Sequence, residues 1–235
     1  MQLFYAYEVK GNLAYLDAEE SLHCVKSLRK KVGDQISMVD GFGSLFEGNL
    51  VEANKRSCVA SISSTIEGYG KRQIKLHIAI APTKNNSRFE WFLEKATEIG
   101  IDRITPIICK RSERKVFKTD RFRKIMIGAM KQSLKAYLPK LDEPTGFNNF
   151  VSQQFQDEPL RLIAHCSDSE RTHLKHAYSR NQDTIILIGP EGDFTLDEIQ
   201  LARANGFSEI SLGDSRLRTE TAGIVACTII SMSQD

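Results

Sequence analysis

The sequence predicts a small β-barrel followed by an α/β domain with a mostly parallel sheet. Three observations point that way. Up to about Gly70 the chain carries short runs of strand-forming residues broken by Gly and Asp-Gly turns. From Gln73 on, apolar strand-like runs alternate with stretches of helical spacing, the pattern of helices crossing between parallel strands. Near its end the chain enters an apolar block, Ala222 to Ile230, through the polar stretch "RLRTET".

The barrel strands are "LFYAYEV", "GNLAYL", "QISMVDG", "SLFEGNLVEA" and "SCVASISSTIE". Asp40-Gly41 reads as a hairpin turn, because Gly41, Gly43 and Gly48 do not have G-x-G-x-x-G spacing and no helical pattern follows them. A domain boundary is expected near Gly68 to Lys71, giving domains 1–70 and 71–235. Beyond it, "IKLHIAIAPT" has the continuous apolar character of a strand buried on both faces. Phe89, Phe92, Leu93, Ala96 and Ile99 then recur at helical spacing until Gly100 stops the run. Strands "RITPIIC", "RLIAHC", "TIILIGP" and "EISLG" follow, interleaved with helices expected at 121–137 and 195–205, and a terminal helix closes the chain.

Composition excludes several classes. A hydrophobic content of 41% supports a folded core rather than disorder. The five cysteines, Cys24, Cys58, Cys109, Cys166 and Cys227, form no C-x-x-C pair and lie far apart, which argues against a disulfide framework or zinc knuckle and for a reducing, cytoplasmic setting. The amino terminus lacks a basic start followed by an apolar core, and no apolar run approaches the ~20 residues that span a bilayer. The five histidines show no metal-ligand spacing. The net charge of +2 is unevenly placed. Residues 110–124 hold eight basic and two acidic residues, whereas 181–235 hold three arginines and nine acids, so a polyanion is drawn to the middle of the chain.

In a parallel sheet, ligands collect at the carboxyl ends of the strands. Three such exits carry suitable residues: "HCSDS" after "RLIA", "GPEGD" after "TIILI", and "LGDSRLRTETA" after "EIS". In the second, Thr195 and Glu198 form a capping box that opens the next helix. In the third, Thr219 reads as the N-cap of a helix apolar all round. Burying such a helix needs a surface beyond its own sheet, either another subunit or a loop passing over it. No P-loop, G-x-S-x-G elbow or Cys-His pairing is present.

These loops, together with "HCVKSLRKKVGD", "MVDGFGSLFEGNL" and "FLEKATEIGIDRITPIICKRSER", resemble the RsmE family of the SPOUT superfamily over nearly the whole chain. Members methylate N3 of a uridine in 16S ribosomal RNA with S-adenosylmethionine. The sequence departs from the family pattern E-Q-S-x-R at "KQSLK", which places Lys131 and Lys135 at the acid and arginine positions, and Ser27 replaces a common valine.

The resemblance implies a PUA-like RNA-binding barrel, a SPOUT α/β domain with a trefoil knot, and a homodimer packed through the terminal helix. It implies S-adenosylmethionine binding by His165, Ile188, Gly189, Glu191, Gly192, Leu212, Gly213, Leu217, Arg218, Thr219 and Ala222. Arg218 is the candidate catalytic residue. His23, Lys26, Arg29, Arg111, Arg114 and Lys115 are expected to meet 16S rRNA of the small ribosomal subunit, with the choice between naked RNA and the assembled subunit left open, and no membrane is involved. Two other readings stay open: methylation of another rRNA or tRNA nucleoside on the same fold, and a noncatalytic RNA-binding assembly protein.

Overall fold

A computed structural model describes residues 1–114, 119–157, 159–167 and 169–234. Two compact units emerge: residues 1–71 with 126–138, and residues 72–125 with 139–235.

In the first unit, β1 (Leu3–Lys10), β2 (Leu13–Leu16), β3 (Gln35–Val39), β4 (Leu45–Ala53) and β5 (Cys58–Ile66) close into a barrel in the order β1-β2-β5-β4-β3. Closure comes from the parallel pairing of β1 with β3, Leu3 opposite Ser37 and Tyr5 opposite Val39. Alternate residues point inward, so Phe4, Ala6, Leu16, Ile36, Met38, Phe46 and Leu50 share one core. The expected turn is present: Asp40 Oδ1 accepts from the backbone N–H of Phe42 (2.7 Å) and Ser44 (3.1 Å) between β3 and β4.

The strand reading passed over helix α1 (Ala18–Leu22), which runs on into a π-helical turn at His23–Ser27. Its start has a clear local cause, since Asp17 Oδ1 accepts from the N–H groups of Glu19 and Glu20, both at 2.9 Å.

The second unit holds α2 (Asn86–Ile99), β6 (Leu76–Ile80), β7 (Arg103–Ile108), β8 (Lys140–Leu141), β9 (Thr145–Gly146), α4 (Phe147–Val151), β10 (Leu160–Ala164), β11 (Thr172–His173), α5 (Leu174–Ala177), β12 (Thr184–Ile188), α6 (Leu196–Ala204), β13 (Ser208–Ser211) and α7 (Thr219–Met232). Its sheet runs β11-β13-β10-β12-β6-β7-β8, with β9 beside β7, and every pairing is parallel. Strands β6 and β12 are buried along their whole length, as their unbroken apolar sequences require.

Helix α3 (Thr119–Gln132) begins in the second unit, and its last turns belong to the first. It stops five residues short of the expected 137, where Leu134 takes a left-handed φ of 55°. Met130 and Ala136 then pack with Leu3, Tyr5, Val39 and Leu45 as a second apolar cluster of the barrel unit. Lys131, one of the two departures from the family pattern, ion-pairs there with the buried Glu20, whose Oε2 accepts from the Tyr5 N–H at 2.9 Å.

Helix α7 is buried on one side only. Gly223, Ala226, Cys227 and Ile230 face inward, Ile224, Val225 and Ile229 are half-buried, and Met232 is exposed. A Cβ on Gly223 would lie 2.5 Å from Phe92 Cε2 and 3.1 Å from Ile80 Cδ1, so glycine is what lets α7 close onto α2 and β6. Among the described residues no helix is long and apolar enough to cross a membrane.

A polar relay ties β6 and β7 to the residue that follows β8. His77 Nε2 lies 2.7 Å from Thr105 Oγ1, and that hydroxyl donates to Asp142 Oδ2, which also takes Arg103 Nε at 2.6 Å. Burial, together with the nearby Arg103, lowers the His77 pKa to about 3, so the ring is neutral at pH 7.

Two outcomes follow from this packing. Gly223→Ala should lower the unfolding free energy by about 1–3 kcal/mol in urea titration, despite alanine's better helix propensity, because Phe92 is enclosed and its ring has nowhere to move. For His77 the folded pKa lies below the unfolded one, so its contribution is complete above pH 6.5 and is lost as pH falls toward 3. Relative to His77→Gln, the wild-type chain should lose about 2 kcal/mol of stability between pH 7 and pH 5, read from urea midpoints at each pH.

Candidate functional site

The strand order β13-β10-β12 sets three carboxyl ends side by side, and the loops leaving them are joined by short hydrogen bonds. After β12, Pro190 to Asp193 form a tight turn closed by the Asp193 N–H donating to Pro190 O at 2.9 Å. Asp193 adopts a φ of 62°, a conformation that a short polar side chain tolerates. Its Oδ2 accepts from the Cys166 N–H at 2.8 Å, which fastens the β10 exit to the β12 exit.

After β13, Gly213 takes a φ of 119°, so the chain turns there as L-residues rarely do. The loop then runs to Arg218, which is the N-cap of α7 by backbone geometry, in place of the expected Thr219. Thr219 is instead the first helical residue, and its buried hydroxyl donates to Gly189 O at 3.0 Å. A threonine that looks like a cap therefore pins the third exit to the second. The Thr195–Glu198 capping box forms as expected at the start of α6.

Together the three loops enclose a cavity of about 360 Å³, within the range of small-molecule sites. Of the eleven residues expected to bind the cofactor, His165, Ile188, Gly189, Glu191, Leu212, Gly213, Leu217, Arg218, Thr219 and Ala222 line it. Gly192 does not. It faces Arg111, whose Cβ and Cδ would each lie 3.3 Å from an added Cβ and whose Nη1 donates to Gly192 O at 2.7 Å.

Ala164, Cys166, Arg171, Pro190, Asp193, Ser215 and Arg216 line the cavity as well; all but Ala164 and Arg171 lie in the three exit loops singled out from the sequence, though none was named as a cofactor-binding residue. Most of these are neighbours of residues already singled out. Arg171 is different, because it returns from a loop with no sequence signal to donate to His165 O.

The walls carry both charge signs, Arg171, Arg216 and Arg218 against Glu191 and Asp193, together with the apolar faces of Ile188, Leu212, Leu217 and Ala222. His165 is almost fully buried. Its Nε2 meets Glu209 Oε2 at 2.9 Å and its Nδ1 meets Ser167 Oγ at 2.7 Å. Burial lowers the His165 pKa against the pull of Glu209, so a neutral imidazole is held in fixed orientation at the cavity wall.

The expected RNA-binding residues divide between the units. In the barrel unit, His23 and Lys26 line a groove with Glu19, Glu20 and Lys131, while Arg29 is exposed. In the α/β unit, Arg111 holds the Gly192 carbonyl and Arg114 Nη1 donates to Lys84 O at 3.2 Å. Lys115 lies outside the described residues. Among the described residues no group of three or more His, Cys, Asp or Glu side chains is placed to hold a metal ion.

Comparison with known proteins places this geometry. Residues 70–231 match the model of the RNA methyltransferase domain, and residues 16–63 match that of the RNA methyltransferase PUA domain. A ribosomal RNA small subunit methyltransferase E from Mesomycoplasma hyopneumoniae is 31% identical, over 97% of this chain and 98% of its own length. A solved structure from Porphyromonas gingivalis aligns with a TM-score of 0.93 at 39% identity, covering 100% of this chain and 98% of that one. A Legionella pneumophila structure that holds bound SAM aligns with a TM-score of 0.86 at 30% identity, covering 99% and 97% of the two chains. With both domain models matched and a relative of this identity aligned end to end, the chain belongs to the ribosomal RNA small subunit methyltransferase E family of RNA methyltransferases.

Proposed function

We propose that the protein transfers a methyl group from S-adenosylmethionine to N3 of a uridine in 16S ribosomal RNA of the small ribosomal subunit. The observation that carries this reading is the convergence of three strand exits on one mixed-charge cavity in a chain of this family. The cavity suits the cofactor chemically. Arginines and carboxylates stand where a ligand with a carboxylate and an ammonium group needs opposite partners, and the apolar walls suit an adenosine. The residues that hold it are His165, Ile188, Gly189, Glu191, Leu212, Gly213, Leu217, Arg218, Thr219 and Ala222. The bound cofactor supplies a methyl group already made electrophilic by its sulfonium.

The protein's own task is then geometric: to hold the uracil in reach, exclude water and balance the charge that develops on the carbonyls beside N3. Arg218 fits the last role. It stands on the cavity wall and caps α7 by its backbone alone, and its guanidinium is exposed and has no hydrogen-bond or ion-pair partner among the described residues.

The barrel, with His23, Lys26 and Arg29, and the basic segment with Arg111, Arg114 and Lys115 supply phosphate contacts, which contribute much of the affinity of RNA interfaces. In this reading residues 1–70 form the RNA-binding domain and residues 71–235 the methyltransferase domain. The half-buried face of α7, Ile224, Val225 and Ile229, is the surface for a second copy, giving a homodimer that works in the cytoplasm.

Two measurements test the reading. Mass spectrometry of rRNA from a strain lacking the gene should show loss of N3-methyluridine from 16S rRNA. Loss of a different modification with the 16S site intact would refute it. Arg218→Ala should lower kcat by about 10²–10³-fold while S-adenosylmethionine affinity, measured by calorimetry, stays within about threefold. Near-normal turnover would remove Arg218 from the chemistry.

A further inference from the structure

His165 belongs to the cofactor cavity, yet its side chain does not open onto it. The residue as a whole is 5% exposed and its side chain 0%, so the surface that it gives to the cavity wall is main chain. The imidazole is engaged instead by Glu209 of β13. That carboxylate is not part of the cavity lining, and it stands on a strand paired with β10, Glu209 opposite Ile163.

The partners of the ring fix which nitrogen carries its proton. The Ser167 backbone N–H, which can only donate, reaches Nδ1 at 3.3 Å, and the Ser167 hydroxyl lies 2.7 Å from the same nitrogen. Nδ1 is therefore the acceptor, and Nε2 carries the proton that it donates to Glu209 Oε2 at 2.9 Å. Burial works to raise the Glu209 pKa, but the hydrogen bond from Ser169 together with His165 and Arg203 holds it below the usual carboxylate range, so the acceptor is ionised at pH 7.

The same oxygen has a second route to the cavity. Ser169 Oγ donates to Glu209 Oε2 at 2.8 Å, Arg171 Nε donates to Ser169 O at 3.4 Å, and Arg171 Nη1 donates to His165 O. One carboxylate thus gathers the β10 exit twice, through the imidazole to the Ser167 main chain and through the Ser169 hydroxyl to the Arg171 guanidinium on the cavity wall. Its other oxygen, Oε1, meets Arg203 Nε of α6 at 3.2 Å. A binding wall is only as well placed as the hydrogen bonds behind it.

We propose that Glu209 is a positioning residue for the methyl donor, setting the Nε2–H tautomer of His165 and, through Ser167, Ser169 and Arg171, the wall against which S-adenosylmethionine binds. His165 serves the cofactor by its main chain, and its ring is the link to Glu209 rather than a contact. Without the carboxylate, the buried Nε2–H has no acceptor, and a ring that moves its proton to Nδ1 meets the Ser167 N–H donor to donor. Either way the exit loses its fixed place. The proposal rests on the assignment of the cavity to S-adenosylmethionine and not on which nucleotide receives the methyl group.

Nitrogen-15 NMR of the histidine-labelled, cofactor-free protein should show the His165 ring, assigned by its absence from His165→Gln, with its proton on Nε2. Glu209→Ala should weaken S-adenosylmethionine binding in calorimetry by about tenfold, while kcat for methyl transfer to ribosomal RNA at saturating cofactor stays within about threefold of wild type. Glu209→Gln still offers an oxygen to Nε2–H when its amide nitrogen turns toward Arg203, which is 65% exposed and free to swing away. It should keep the tautomer and bind the cofactor within about threefold of wild type. A proton on Nδ1 in the wild-type protein would overturn the proposal whether or not the variants fold. So would a loss of affinity in Glu209→Ala of less than about threefold, a fall in its kcat larger than its fall in affinity, or a Glu209→Gln variant as weak as Glu209→Ala. Failure of the wild-type protein to bind S-adenosylmethionine would overturn the assignment of the cavity, and the proposal with it.

Discussion

The approach of α7 to the sheet is the constraint on which the site depends. The helix can sit where it does only because Gly223 leaves room for the Phe92 ring and Ile80, and because the Thr219 hydroxyl closes on the Gly189 carbonyl. With α7 in that place, the β13 loop has to pass beside the β10 and β12 exits, and a cavity forms among three otherwise ordinary turns. Displacing the helix by the width of one methyl group would open the β12–α7 contact and loosen every wall at once. Positional tolerance in such sites is small, since misplacement of about 1 Å is enough to cost much of the rate.

The same turn of helix has a polar character that its sequence makes hard to interpret. "RLRTET" places an arginine, a threonine and a glutamate in succession, and successive helical positions point about 100° apart. Three neighbours in the chain therefore serve three places: Arg218 on the cavity wall, Thr219 on the Gly189 carbonyl, and Glu220 on the far side toward Arg88. A polar entry to an apolar helix is what a helix needs when its first turn faces a cavity and its remainder packs.

Much of the architecture was legible in the sequence because it depends on local patterns. Alternation in β1 to β5, the Asp40-Gly41 turn, the stop at Gly100 and the Thr195–Glu198 box are set by residues within a few positions of one another. The exits were legible for a related reason, since ligand sites follow the carboxyl ends of parallel strands whatever the side chains. What escaped depends on partners distant in sequence. Helix α1 carried a local signal in Asp17 and the acids after it, but at five residues it was too short for periodicity. Arg171, the return of Arg111 to Gly192, and the meeting of His165 with Glu209 are facts of assembly, and no window of the chain contains them. Lys131 is instructive in this respect. As a departure from the family pattern it stood out in the sequence without a partner, and only the fold shows its ammonium group taken up by Glu20.

The division of the chain into 1–71 with 126–138 and 72–125 with 139–235 bears on how the molecule is made. Neither unit is continuous, so on a ribosome the barrel strands emerge long before the segment that covers Leu3, Tyr5, Val39 and Leu45. Until residue 138 is synthesised that face stays wet, and during the interval β6, α2 and β7 are extruded as well. The first unit is completed only across the excursion of residues 72–125, more than fifty residues long, whereas the second is interrupted only by the short segment 126–138. An interleaved order of this kind ties the packing of Leu3, Tyr5, Val39 and Leu45 to the arrival of Met130 and Ala136, so a nascent fragment that ends before them closes the strands of the barrel but leaves that second cluster unfilled.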